Sequence, residues 1–243
     1  MLKNLFGNIP PVTKNLLILN VLFFLATFLL EQQGIDLASK LGLYYPSSQF
    51  FEPYQIITHF FMHSGFTHLL FNMLGLVFIG SHLERVWGNK RFFIFYFVTA
   101  IGAALLYESV HAFELYSATG SIFPDIFLED VQHLQNGAIT WRSSFQPISI
   151  TGIYAAPTVG ASGAIYGLLM AFALLFPNTE FRLLFPPIPI KAKWLALILG
   201  IYALYQGYLN NPGDSVAHFA HLGGMLFGFI MIKIWGKDRN EFY

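Results

Sequence analysis

The chain has 243 residues, 55% of them hydrophobic, 18% aromatic and only 11% charged. Soluble domains carry about 25% charged residues, so too few charges remain here to coat one small aqueous core, and the composition points to a bilayer. The 13 Lys and Arg balance 13 Asp and Glu, which argues against a nucleic-acid partner or a polybasic surface anchor, while the lack of cysteine excludes disulfide scaffolds, thiol nucleophiles and cysteine-ligated metals.

A charge at mid-bilayer costs several kcal/mol, so the gaps between charged residues mark candidate membrane spans. Six follow in chain order: residues 15–30, 65–83, 92–107, 158–176, 194–209 and 215–232. The first is read as an uncleaved helix, because Glu31, Gln32 and Gln33 follow it where a signal peptide would carry small residues. The segments between them include two long loops, 31–64 and 108–157. Tyr44, Tyr45, Phe50, Phe51 and Tyr54 suit the first to the headgroup level. The second is long enough to need structure of its own. The whole of 1–243 reads as a single all-α, polytopic domain, a six-helix bundle.

Orientation follows from the signs of the charges. With the N-terminus in the cytoplasm, the inner segments hold Lys3, Lys14, Arg85, Lys90, Arg91, Arg182, Lys191, Lys193, Lys233, Lys237 and Arg239, leaving only Lys40 and Arg142 outside. That partition is the positive-inside pattern and places both termini in the cytoplasm.

Polar residues inside the spans are the informative ones. His68 and Asn72 stand one helical turn apart on the second span. The fourth opens with Gly160-Ala161-Ser162-Gly163, and Tyr166 shares a face with Ser162. The sixth carries Ala220-His221-Leu222-Gly223-Gly224 and Gly228. Each cluster alone suits a helix-packing seam built on small residues and interhelical hydrogen bonds. Together, if the glycines of the sixth span pack on the fourth, they bring an imidazole to a serine hydroxyl. Neutral His221 would then act as general base for Ser162, with Asn72, His68 and the Ser162 backbone N–H as oxyanion donors and Tyr166 holding the imidazole. Asp214 lies beyond the mouth of the sixth span and reads as a loop charge, so a dyad is expected rather than a triad.

Three motifs in this order, His63 with His68-x-x-x-Asn72, Gly160-x-Ser162-Gly163, and Ala220-His221-x-Gly223-Gly224 with Gly228, together with Glu84-Arg85-x-x-Gly88, resemble the rhomboid intramembrane serine proteases of the six-helix bacterial type. The resemblance runs from the first span through the sixth. It implies Ser162 as nucleophile, His221 as base, His68 and Asn72 at the oxyanion, Tyr166 and Gly160 in support, and no metal or cofactor. It also implies hydrolysis of transmembrane protein substrates in the lipids of a bacterial inner membrane. The pattern prefers His221 to His218 as base, because the paired glycines follow directly on Ala-His-x. Two departures stand out: the first loop lacks the Trp-Arg pair many relatives carry, Trp141-Arg142 lying instead in the second, and that second loop is unusually long.

Other readings are a metalloprotease using His59-x-x-x-His63, a catalytically silent chaperone or scaffold, and a small transporter. The first has no His-Glu-x-x-His and no adjacent carboxylate base. The second would ordinarily have lost the serine or the histidine, and the third has no legible internal repeat.

Overall fold

The structure, a computed structural model, describes residues 9–124, 131–133, 139–141, 148–182, 189–209 and 217–236. Helix α1 (Pro11–Glu31) begins with proline at its first turn, where no N–H is required, and its 21 residues extend about 32 Å, enough to cross a hydrocarbon core of about 30 Å. Two short helices, α2 (Leu37–Leu41) and α3 (Gln55–Thr58), and a 3₁₀ turn (His59–Phe61) build the first long loop. Helix α4 (Phe66–Gly75) passes through a π-helical turn (Leu76–Gly80) into α5 (Ser81–Thr119). After α6 (Ile148–Ala155) come α7 (Ser162–Leu175), α8 (Ala192–Leu209) and α9 (His218–Trp235). Two antiparallel strand pairs, Val131–His133 with Ile139–Trp141 and Glu180–Arg182 with Pro189–Lys191, are the strands among the described residues.

The helices fall on the six apolar segments, with three differences. The turn around residues 84–91 is not a loop: helix continues on both sides of Gly88, where φ of +75° makes a sharp corner that only glycine adopts without strain. The third segment does not end at Tyr107, since α5 runs on to Thr119. From Gly88 onward it extends about 48 Å, more than the thickness of a bilayer core. The fourth helix begins at Ser162 rather than at 158, because residues 156–160 form an extended strap.

Tyr96, Phe92, Phe95, Leu76, Leu83 and Leu168 are fully buried where α4, α5 and α7 meet. Phe28, Phe71, Phe78, Leu105, Ile201, Tyr205 and Ile234 are exposed on the outside of the bundle. An apolar rim around an apolar core is the distribution expected of a polytopic membrane protein, and it accounts for the scarcity of charge. Helices α5, α7 and α9 approach closely through small residues. A Cβ on Gly163 would lie 2.5 Å from that of Ala103, one on Gly167 would meet Thr99 at 2.6 Å, and one on Gly228 would lie 2.7 Å from the Gly167 carbonyl oxygen. Gly224 sits directly on the Gly163 carbonyl.

A second, smaller core lies beside the C-terminal part of α5. Leu115 of α5, Ile153 and Tyr154 of α6 and Tyr45 of the first loop pack together. Ser48 Oγ donates to the Tyr154 carbonyl at 2.7 Å, Ser47 is hydrogen-bonded to the Tyr154 hydroxyl, and Tyr45 Oη donates to the Ile122 carbonyl at 2.9 Å. Ile122, Ile153 and Tyr154 of the second loop therefore dock on the first.

Candidate active site

The backbone contact between α7 and α9 decides the geometry. With no side chain at Gly224 or Gly228 to hold α9 off the α7 backbone, His221 on α9 reaches across to the first residue of α7. His221 Nε2 lies 2.9 Å from Ser162 Oγ, within range for the imidazole to accept the hydroxyl proton. The other side of the site is fixed by Tyr166, one turn along α7, whose ring stacks on the imidazole at 4.1 Å between centroids and 5° between planes. His221 is buried and Ser162 half-buried, so the pair is shielded yet approachable from the start of α7.

Helix α7 has 14 residues and extends about 21 Å, roughly 9 Å short of the hydrocarbon thickness. Residues 156–160 before it form an extended strap instead of further helical turns, so Ser162, at the N-terminal end, is the first residue of α7. Backbone N–H groups at such an end point away from the helix and favour negative charge.

His68 faces the strap. Gly160 has φ of +123°, and a Cβ there would lie 2.8 Å from His68 Cε1 and 2.9 Å from Nε2. Glycine is needed twice over, for the backbone angle and for the room. The His68 ring is further held by Ser64 Oγ, 3.1 Å from Nδ1, and by His63, whose ring stands edge-on to it at 5.0 Å. Asn72 Nδ2 donates to the His68 carbonyl at 2.9 Å, which ties it to its own helix and leaves the second N–H of that amide for other use. Helix α4 itself is drawn against α7 because Gly75 admits the Ile165 side chain, whose Cγ2 would be 2.6 Å from a Cβ.

The structure thus brings Ser162, His221, Tyr166, His68 and Gly160 together, with Asn72 linked through His68. His218, the rival base, is also buried, but its ring stands 6.0 Å from His221 and packs edge-on to Tyr202 of α8 at 5.9 Å. Asp214 and Arg142 lie outside the described residues. His59 and His63 do not share a helical face. Helical geometry stops at Phe61, Met62 is extended with ψ of 142°, and each Nδ1 turns to a backbone carbonyl, of Gln55 at 2.7 Å and of Phe61 at 3.4 Å. Burial lowers both of these histidines to about 4, so both are neutral imidazoles near neutral pH. Among the described residues no three His, Asp or Glu side chains cluster as a metal site would require.

Sequence reasoning passed over Thr99 and Ala103, which set the depth of α7. A run of small residues on the third span, Thr99-Ala100-Ile101-Gly102-Ala103-Ala104, was the available signal. It also gave Glu84 no structural task. That side chain is buried and accepts from Val12 N at 2.8 Å, Thr13 N at 2.7 Å and Thr13 Oγ1 at 2.7 Å, capping α1.

Among known proteins, the chain is 30% identical over 190 residues to the mitochondrial rhomboid protein 1 of Saccharomyces cerevisiae, covering 76% of this chain and 44% of that one. It is 26% identical over 186 residues to the chloroplastic rhomboid-like protein 16 of Arabidopsis thaliana, covering 76% and 49%. With the rhomboid protease GlpG of Yersinia pestis it shares 25% identity over 184 residues, covering 70% and 65%. The chain spans about half the length of the first two of these curated relatives. The Rhomboid domain model matches residues 51–237, a range that takes in every residue of the cluster around Ser162, and the chain belongs to the rhomboid family.

Proposed function

We propose that the chain is an intramembrane serine endopeptidase that hydrolyses peptide bonds in or near the transmembrane segments of membrane proteins. The observation that carries this reading is the 2.9 Å approach of His221 Nε2 to Ser162 Oγ, with the imidazole backed by Tyr166. Ser162 Oγ attacks the scissile carbonyl carbon while His221 Nε2 takes its proton, and the tetrahedral oxyanion is met by the Ser162 N–H together with His68 and Asn72. The imidazolium then protonates the leaving amine as the C–N bond breaks, leaving an acyl ester on Ser162. Water, activated by His221, hydrolyses the ester and restores the serine. A dyad suffices because stacking and burial fix the ring.

The short length of α7, with Ser162 as its first residue, supports attack below the membrane surface, where a substrate helix must unwind locally before its backbone can reach the serine. The charge partition supports a site facing the outer side with both termini in the cytoplasm, and the resemblance to the six-helix bacterial type supports a bacterial inner membrane.

Reconstitution with a panel of transmembrane reporters tests the reading, with products identified by mass. Wild-type protein is expected to cut at least one reporter, and Ser162→Ala and His221→Ala to cut none. Cleavage by Ser162→Ala refutes the mechanism. Capture of reporters without cleavage by the wild type would instead assign a chaperone or scaffold role.

A further inference from the structure

The first long loop carries an amide in an otherwise apolar run, Tyr54-Gln55-Ile56-Ile57, and that amide is only 1% exposed. A buried primary amide is costly unless its two acceptor lone pairs and two N–H groups are satisfied. Here all four are. Gln55 Oε1 accepts from Tyr44 N at 3.4 Å and Glu52 N at 3.1 Å, while Nε2 donates to the carbonyls of Lys40 at 3.2 Å and Phe50 at 2.9 Å. Its own carbonyl receives His59 Nδ1 at 2.7 Å and the His59 backbone N–H. One side chain and one carbonyl therefore gather separate stretches of a loop that has little regular structure.

The same loop holds the strap that leads into Ser162, at three points. Gly42 packs on Pro157, where a Cβ would lie 2.7 Å from that of the proline. Leu43 and Thr158 exchange backbone hydrogen bonds of 2.9 and 2.8 Å. The His59 carbonyl accepts from Gly160 N at 2.9 Å. The Gln55 amide bonds to Lys40, two residues before the first attachment, and to Tyr44, next to the second, and its carbonyl orients the residue that makes the third. The last attachment lands on the glycine that faces His68 and precedes Ser162 by two residues.

We infer that Gln55 is a positioning residue for the catalytic centre, setting through the first loop and the His59 carbonyl where the Gly160 strap lies relative to His68 and the Ser162 N–H. The inference rests on the protease reading above for its effect on rate. Oxyanion donors must lie about 2.7–3.1 Å from the developing charge, and a misplacement of about 1 Å can cost a factor of about 100. Gln55 does not reach the substrate, so its loss falls on kcat and not on KM.

Three measurements test this on the full-length protein in detergent or proteoliposomes. Gln55→Leu, close in volume and unable to hydrogen-bond, is expected to lower kcat about 10- to 100-fold with KM within twofold. Hydrogen exchange of the peptide covering 157–162 should rise in this variant while exchange in α5 and α9 is unchanged. The third uses Gln55→Glu, which keeps the acceptors but turns a carboxylate oxygen toward the Lys40 and Phe50 carbonyls. Protonation restores a donor, so kcat relative to wild type at the same pH should rise several-fold from pH 8 to pH 6. The titratable side chains on the residues around this position are Lys40, Tyr44, Glu52 and His59, and taking the ratio to wild type removes their own contribution. A Gln55→Leu variant with kcat within twofold of wild type, a flat Gln55→Glu ratio, or unchanged exchange at 157–162 overturns the inference. If no reporter is cut even by wild type, the exchange measurement still decides whether Gln55 holds the strap, and only the protease reading falls.

Discussion

Tyr166 lies flat on His221, its ring 5° from parallel with the imidazole and 4.1 Å from it. A face-to-face contact restrains tilt of the base without competing for either ring nitrogen, and the tyrosine ring can also stabilise the imidazolium formed when Ser162 gives up its proton. Tyr166→Phe keeps the ring and is expected to retain most of kcat. Tyr166→Ala should lose roughly 10- to 100-fold in kcat with little change in KM, since a loosened base costs orientation rather than binding. Asp214→Ala should stay close to wild type, because the dyad draws its order from stacking. Initial-rate kinetics on a reporter helix decide among these, and a Tyr166→Ala enzyme with unchanged kcat would remove the ring from the mechanism.

The glycine seam makes a harsher demand. A methyl group on Gly224 would run into the Gly163 carbonyl, and one on Gly228 would lie 2.7 Å from the Gly167 carbonyl oxygen. Both obstacles are backbone, so the helices themselves must part. Gly224→Ala is therefore expected to separate His221 from Ser162 and abolish cleavage. Its thermal midpoint in detergent should fall as well, as for an overpacked core at a cost of about 1–3 kcal/mol. Labelling of Ser162 by a fluorophosphonate reports the dyad directly and should be lost with cleavage. Normal labelling in Gly224→Ala would show that the seam does not set the dyad.

The apolar helices and the polar cluster around Ser162 were legible for one reason: charge and polarity are so scarce here that each instance stands out. Ser162, His221, His68 and Gly160 could be read from the chain and stand together in the structure. What stayed hidden depends on contacts distant in sequence. Glu84 bonds to backbone groups 71 and 72 positions away, and Gln55 to loop carbonyls with no periodicity, so neither leaves a pattern. The charge gap that ends at Tyr107 does not mark the end of α5, because a helix need not stop where a charge begins. The segment read from residue 158 starts four residues before α7, because the positive φ at Gly160 holds the chain out of helix until Ser162.

Glu84 gives a prediction about stability separate from catalysis. Its carboxylate meets two orphan N–H groups at the start of α1 and the Thr13 hydroxyl, with Thr13 wholly buried. Charge-assisted bonds of this kind, placed at the positive end of a helix, are the strong ones. Glu84→Ala should destabilise by about 2–3 kcal/mol, since two buried donors lose their acceptor. Glu84→Gln keeps an acceptor without the charge and should cost less. Thermal unfolding in detergent orders the variants, and a Glu84→Ala protein as stable as wild type would show that α1 does not depend on this cap.

Acid should loosen the first loop before it affects the bundle. His59 and His63 are both lowered to about 4, for each chiefly by burial, with the neighbouring His68 contributing at His63. In the unfolded chain an imidazole titrates near about 6.5. Between these values the unfolded state binds more protons, so the stability contributed by the neutral imidazoles is complete above about pH 6.5 and is lost as pH falls toward about 4. The loss approaches about 1.4 kcal/mol per pH unit for each histidine inside that window. Because the His59 ring bonds to Gln55 and its carbonyl to Gly160, local opening should appear first in 42–62 and 157–160. Hydrogen exchange at pH 7, 6 and 5, corrected for intrinsic rates, should show protection falling in these two segments while α5 and α9 hold. His59→Gln, which offers an amide donor and cannot titrate, should flatten the trend. Uniform loss of protection across all helices, or no loss in the loop, would refute the assignment of the acid response to this pair.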